Sequence, residues 1–190
     1  RNSLNSDVLN NCTKTIVRQV LDIEKLVTEF SDFARMPAIE LKKIDIQNIL
    51  KQQLDTLSIV NKQIKFNYKS KYQKVFINID KSQFNRVITN LLKNAIESII
   101  DKPKKNILVE LKKNKNNLKI CIHDSGAGFP DQKEKLFEPY RTHKKYGTGL
   151  GLPICKKIIE DHRGEINLYN SELLCGAQVN ITLPIDVKKK

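Results

Sequence analysis

The chain has 190 residues, 39% hydrophobic and 29% charged, enough for one core with a smaller attached element. Its formal net charge of +13 calls for an anionic partner or a solvated lysine-rich surface, and no aromatic-interleaved basic stripe points to direct nucleic-acid binding. No apolar run approaches the roughly 20 residues that span a bilayer, and no secretory signal pattern is expected at the start.

Residues 8–35 read as one helix. Leu9, Cys12, Ile16, Ile23, Leu26, Phe30 and Phe33 recur at alternating steps of three and four, with Gln19 in the one polar slot. Val20, Val27 and Ala34 widen the stripe, which predicts a bundle with more than one neighbour. Met36-Pro37 ends the helix, because proline disfavours helix in the residue before it. The expected organisation is therefore a helical element over 1–36, a linker over 37–44, a compact domain over 45–185 and a basic tail over 186–190.

Asp45 can cap a helix that turns Ile46, Ile49, Leu50, Leu54 and Leu57 inward. Strand-like pieces follow over 63–69 and 75–79. Asp80 and Gln83 resemble a capping box opening a helix to about Ile100, with Phe84, Val87, Ile88, Leu91, Leu92, Ala95, Ile96 and Ile99 on its buried face. Strands are predicted over 107–111 and 118–123, joined by a Lys/Asn turn. Residues 125–147 have no period, and a long irregular stretch in a compact domain is usually functional, often a lid. A helix over 150–161 accommodates Pro153 only in its first turn. Strands over 165–169 and 177–183 complete an α+β fold: a two-layer sandwich of a mixed sheet with helices on one face.

The four cysteines, Cys12, Cys121, Cys155 and Cys175, form no CxxC pair, and with only three histidines a zinc site is not expected. Cys121 and Cys155 lie in apolar segments and read as buried, reduced thiols of a cytoplasmic domain. His123 and His162, at element ends, read as structural.

Three short segments carry chemistry. Asn90-Leu-Leu-Lys-Asn94 sets two amides four residues apart on one helix face. An amide oxygen is a neutral hard ligand for Mg2+, and two asparagines inside a strong helix carry a local cost. Asp124-Ser-Gly-Ala-Gly128 follows an apolar strand. Its carboxylate can accept the exocyclic amine of adenine, and Gly126 and Gly128 let backbone approach a base. Gly147-Thr148-Gly149-Leu150-Gly151 opens a helix whose bare N–H groups suit phosphate. Just before it, Lys144 and Lys145, with Arg141 and His143, are either cations within reach of phosphates or a solvated loop. Together, in this order, the segments describe a pocket for a nucleotide with its metal.

These segments resemble the N box and the two glycine boxes of sensor histidine kinases, and Leu136-Phe137-Glu138-Pro139-Tyr140 resembles the F box. The helix over 16–35, ending Phe30-Ser-Asp-Phe33-Ala-Arg-Met-Pro37, resembles the second dimerisation helix of nitrogen-regulation sensor kinases. The resemblance covers about 41–185 and implies the ATP-binding sandwich shared with gyrase, HSP90 and MutL. By it, Asn94 would hold Mg2+, Asn90 would support the triphosphate, and Asp124 would read adenine. Gly126, Gly128 and the Gly147–Gly151 stretch with Thr148 and Leu150 would shape the ATP pocket, and Phe137 would anchor the lid. The hydrolysing members generally place a glutamate where Asn90 stands. An amide cannot activate water, which argues for phosphoryl transfer to a side chain.

No histidine precedes His123, so no residue here is assigned as catalytic and the phosphoacceptor helix is expected to be missing. The implied activity is that of a protein-histidine kinase, in a fragment unable to autophosphorylate alone. The implied partners are a response regulator, whose aspartate receives the phosphate, and a second copy of the intact protein. A membrane anchor would lie in a missing N-terminal region. The alternative is a non-catalytic nucleotide-binding or dimerising adaptor with the same fold.

Overall fold

The computed structural model describes residues 2–142 and 147–185. In the first half, α1 (Asn2–Ala34) leads to β1 (Lys42–Asp45), α2 (Ile46–Val60), β2 (Lys65–Ser70), β3 (Phe76–Ile79) and α3 (Lys81–Ile99). In the second, β4 (Asn106–Lys113) and β5 (Asn117–Asp124) precede a 3-10 turn (Lys133–Phe137), α4 (Gly151–Asp161), β6 (Glu165–Asn170) and β7 (Ala177–Pro184). The main sheet has the order β2-β4-β5-β7-β6, with β2 parallel to β4 and every other pair antiparallel.

Alternation along the strands decides which face is dry. Ile107, Val109 and Leu111 of β4, Leu118, Ile120 and Ile122 of β5, and Val179, Ile181 and Leu183 of β7 share one face and are buried. Against them pack Ile46, Leu50 and Leu54 of α2, Val87, Ile88 and Leu91 of α3, and Ile154 and Ile158 of α4. The opposite parity carries Glu110, Lys112, Lys119, Gln178 and Thr182. This is the expected two-layer sandwich. Cys121 and Cys155 are buried and Cys12 and Cys175 exposed, all as free thiols.

One strand departs from the expected sheet. β3 does not join the main sheet but pairs antiparallel with β1 in a separate two-stranded ribbon. Lys42–Asp45 fall where the sequence places a linker, because Lys-Lys-Ile-Asp shows no alternation of its own and is extended by its pairing. Asp45 caps α2 as expected, its Oδ1 accepting from Gln47 N at 3.2 Å, and the same oxygen accepts from Val75 N at 3.0 Å.

The start of α3 also differs from the expected box. Asp80 Oδ1 accepts from Gln83 N at 3.0 Å, but the Gln83 side chain donates to the Pro37 carbonyl at 3.2 Å instead of reaching back. The Asp80 N–H goes to His162 Nε2 at 3.0 Å. That bond makes Nε2 an acceptor, so Nδ1 carries the proton and donates to the Ile158 carbonyl at 2.7 Å. Buried His162 thus joins the start of α3 to the end of α4, the structural role expected from its position.

Along α1 the apolar stripe is exposed: Leu9, Ile16, Val20, Ile23, Leu26, Val27 and Phe30 are all open to solvent. The side chains of Phe33 and Ala34, and the tail 186–190, lie outside the described residues. No described helix is long and apolar enough to cross a membrane.

Replacing His162 with alanine is expected to lower stability by about 1–3 kcal/mol, because it strands the half-buried Asp80 N–H and opens a gap between α3 and α4. Urea unfolding measures this, and an unchanged midpoint would show that the α3–α4 clamp is dispensable.

Candidate functional site

Asn90 and Asn94 stand half-buried on one face of α3, beside the column that packs into the core. Asn90 lies beside the Cys155 thiol in the second turn of α4, whose Sγ donates to the Val87 carbonyl at 3.8 Å. Burial pushes that thiol up to about 12, against which the Asn90 contact pulls only weakly. One helical turn beyond Asn94, Ser98 continues the same face. The row Asn90, Asn94, Ser98 therefore runs about 12 Å along α3, at 1.5 Å per residue. Its first member is at the α4 seam and its last beside Asp124.

Asp124 ends β5 and is buried. Its Oδ1 accepts from the backbone N–H of Gly126 at 2.7 Å and of Ala177 at 3.2 Å. Burial raises its pKa above the ordinary carboxylate range, and those two amides, the Ser98 hydroxyl and nearby His123 only partly offset it. Two glycines make the pocket tight enough. A Cβ on Gly126 would lie 2.6 Å from Ser98 Oγ, and one on Gly176 would lie 2.3 Å from the Asp124 carbonyl oxygen and 2.4 Å from Gly126 N. Gly176 and Ser98 were not among the residues singled out in the sequence. Ser98 was legible as the next member of the i, i+4 row. Gly176 sits far along the chain and meets Asp124 only through the β5–β7 pairing.

The segment after Asp124 is held from β6. Asn170 Oδ1 accepts from Phe129 N at 2.7 Å, and a Cβ on Gly128, whose φ is +79°, would strike that oxygen at 2.7 Å. Further on, half-buried Phe137 docks the 3-10 turn, with Lys156 Nζ of α4 over its ring at 5.2 Å. Gly149, φ +71°, lets the chain cross the backbone of Tyr140 and Arg141, which a Cβ would meet at 2.6 and 2.7 Å.

Leu150, fully buried, sits at the start of α4, and Thr148 Oγ1 accepts from its N–H at 3.4 Å. The first-turn N–H groups of Gly151 and Leu152 have no carbonyl within the helix to bond, Pro153 has no N–H, and Gly151 faces open space. Gly147 lies half-buried just upstream. Arg141 is paired with Glu138 on the surface, Nε to Oε2 at 2.8 Å. His143, Lys144 and Lys145 lie outside the described residues.

His123 is buried, with Nδ1 2.9 Å from Ser171 Oγ and Nε2 3.6 Å from Glu110 Oε2. Burial lowers its pKa, and Glu110 works in the opposite direction. Among the described residues no group of three or more His, Cys, Asp or Glu could hold a metal ion.

The contrast between glycines is testable. Gly176→Ala is expected to cost roughly 1–3 kcal/mol, because the added methyl meets backbone that cannot step aside. Gly151→Ala, with nothing within 4 Å, should leave the melting temperature nearly unchanged. Equal thermal shifts in the two variants would contradict this packing.

The comparisons with known proteins bear on the same residues. The family described as "Histidine kinase-, DNA gyrase B-, and HSP90-like ATPase" matches residues 79–187. The nitrogen regulation protein NtrY of Azorhizobium caulinodans is 34% identical over 189 residues, which cover 96% of this chain and 24% of that protein. The chain thus spans about a quarter of the length of that relative. A nucleotide-free catalytic domain of histidine kinase ThkA has a TM-score of 0.69 at 28% identity, covering 77% of this chain and 96% of that one. ThkA in complex with the response regulator protein TrrA shares the fold, with a TM-score of 0.76 at 23% identity over 90% of this chain and 49% of that one. With its buried Asp124, its half-buried asparagine row and its glycine-lined start of α4 inside the matched segment, the chain belongs to the histidine kinase-, DNA gyrase B- and HSP90-like ATPase family, among the catalytic domains of sensor histidine kinases.

Proposed function

We propose that this domain binds ATP along α3 and presents the γ-phosphoryl group to a histidine outside these 190 residues. The observation that carries the reading is the row Asn90, Asn94, Ser98, which runs from the start of α4 to the buried carboxylate of Asp124. Adenine lies at the Ser98 end. Asp124 Oδ1 is engaged by Gly126 and Ala177, so the carboxylate is held still while its other oxygen accepts the exocyclic amine. The phosphates lie at the Asn90 end, against Thr148 and the N–H groups of Gly151 and Leu152. Gly147, Gly149 and Leu150 shape that turn, Gly126 and Gly128 the base side, and Phe137 anchors the intervening segment. Lys144 and Lys145 supply charge from the loop.

Mg2+ fits the donor set. No carboxylate cage exists among the described residues, and Mg2+ is commonly held by few protein ligands together with phosphates and water. The half-buried Asn94 amide is the protein donor. When bound, the ion neutralises charge on the phosphates; the residues supply orientation and a dry wall.

Transfer is favoured over hydrolysis because neither Asn90 nor the Cys155 thiol beside it can act as a base. An amide has no proton affinity to offer water, and the Cys155 thiol stays protonated at neutral pH. In the transfer, a ring nitrogen of the acceptor histidine bonds to the γ-phosphorus as the bond to the ADP oxygen breaks. Neither His123 nor His162 is the acceptor, since both are buried in structural contacts. The acceptor of this reading lies on a helix outside these residues, so the domain alone is expected not to autophosphorylate. The phosphate passes to an aspartate of a response regulator, the kind of partner named for ThkA. The exposed stripe of α1 supports pairing with a second copy in the intact protein, and any membrane anchor belongs to a region outside these residues.

The test is calorimetric titration with a non-hydrolysable ATP analogue, with and without Mg2+, beside Asp124→Asn. Saturable binding is expected, strengthened by Mg2+ and weakened about 10-fold or more in the variant, as loss of a charge-assisted hydrogen bond implies. Affinity should also fall on acidification sooner than an ordinary aspartate, with a pKa of about 3.9, would allow, because the carboxylate must be ionised to accept and its pKa is raised. A carboxyl group whose folded pKa is raised loses stability on ionising. Asp124→Asn should therefore be at least as stable as the parent at pH 7. A stable variant that binds as tightly as the parent would sink the assignment.

A further inference from the structure

We propose that the end of the main sheet remote from Asp124 is a second anion site, for a small ligand carrying two or more negative charges. Residues 62–74 contain Lys62, Lys65, Lys69, Lys71 and Lys74 and no acidic residue. Residues 112–119 contain Lys112, Lys113, Lys115 and Lys119, again with no acidic residue. The two segments lie about 40 positions apart, and the parallel pairing of β2 with β4 sets Lys69 opposite Glu110 and Ser70 opposite Leu111. Lys69 and Lys71 thus converge with Lys112 and Lys113 at one end of the sheet, whereas Lys65, opposite Asn106, lies toward the Asp124 end.

That end is concave. An open groove of about 700 Å3 is lined by Lys69, Lys71, Lys112 and Lys113, with Glu110 as its only carboxylate. Glu110 is already engaged by Lys112 Nζ at 2.9 Å. Tyr72 frames the groove: the hydroxyl donates to the Lys113 carbonyl at 2.8 Å and accepts from Lys113 N at 3.2 Å, and Lys71 Nζ lies 5.5 Å from the ring centroid. Lysines on an edge strand also discourage pairing with other chains. That role requires neither a groove nor a tyrosine tying two strands together. The concave shape favours a compact polyanion over a flat anionic bilayer.

The site is separate from the nucleotide pocket. On β5, Leu118 pairs with Lys113 and Asp124 with Ile107, so six residues, about 20 Å of strand, part the two ends. That exceeds the screening length of about 8 Å at physiological salt.

The test is a titration of the whole chain with citrate, without Mg2+, followed by amide shifts in 1H–15N spectra. Saturable shifts are expected over 69–72 and 110–113, with 147–151 unmoved. The double variant Lys71→Gln, Lys113→Gln should raise the citrate Kd at least 10-fold while leaving affinity for the ATP analogue unchanged. Tyr72→Phe should weaken citrate several-fold, with the rest of the spectrum in place. Shifts that never saturate and spread over lysines on every face would overturn the proposal. So would a Kd unchanged in the double variant, or shifts produced by phosphatidylglycerol vesicles but not by citrate.

Discussion

The 3.6-residue period of α3 requires one helix to serve two environments at once. Phe84, Val87, Ile88, Leu91, Leu92 and Ala95 form the column pressed into the core. The neighbouring column, Asn90, Asn94 and Ser98, is left at the margin of that core, half-buried. A helix is rigid over this length, so the distance between Asn90 and Ser98 is set by backbone geometry. Whatever anchors the apolar column therefore also fixes the spacing between the start of α4 and Asp124. The rest of the site is arranged around that ruler: α4 meets it through Cys155, β5 through Asp124, and β7 through the Ala177 N–H that steadies the carboxylate.

A second constraint holds the ruler in place. Asp80 receives Gln83 N on one oxygen and Glu40 N on the other, while its own N–H is given to His162 at the end of α4. Gln83 in turn reaches the carbonyl of Pro37. Four chain segments, the exit from α1, the approach to β1, the head of α3 and the tail of α4, thus meet around one aspartate. Although burial works against ionisation of Asp80, the backbone donors outweigh it and keep its carboxyl below the usual range. Acid conditions that protonate it would loosen the joint between the exit of α1 and the nucleotide-binding layer.

Charge is distributed in keeping with this architecture. A net charge of +13 taken as a single number is ambiguous between a binding surface and mere solubility. In the fold, Lys69, Lys71, Lys112 and Lys113, from two separate segments, gather at the end of the sheet away from Asp124. The Asp124 end, proposed for the nucleotide, offers backbone amides and carboxamides among its described residues. Such groups orient a ligand without the long-range field of lysines, so the two ends differ in chemistry as well as in position.

Local features were readable from the sequence because their causes are local. Asp45 and Asp80 cap their helices through amides two and three residues on, and Pro153 lies in the first turn of α4 where its missing N–H costs nothing. The asparagine spacing, the glycine turns and the apolar column of α3 likewise follow from periods of a few residues. Contacts across long separations were not readable. β1 is extended because β3 pairs with it, Gly176 is needed because β7 brings it against Asp124, and His162 accepts a hydrogen bond from a residue 82 positions away. None of these leaves a periodic mark, since each residue's requirement is imposed by a neighbour that only the folded chain supplies. The sequence by itself determined which segments become helices and which residue types line the site. The tertiary structure alone decided that Asn90 and Asp124 stand at opposite ends of one row, and that lysines far apart in the chain share one open groove, because strand pairing and helix packing fix distances that composition and spacing do not encode.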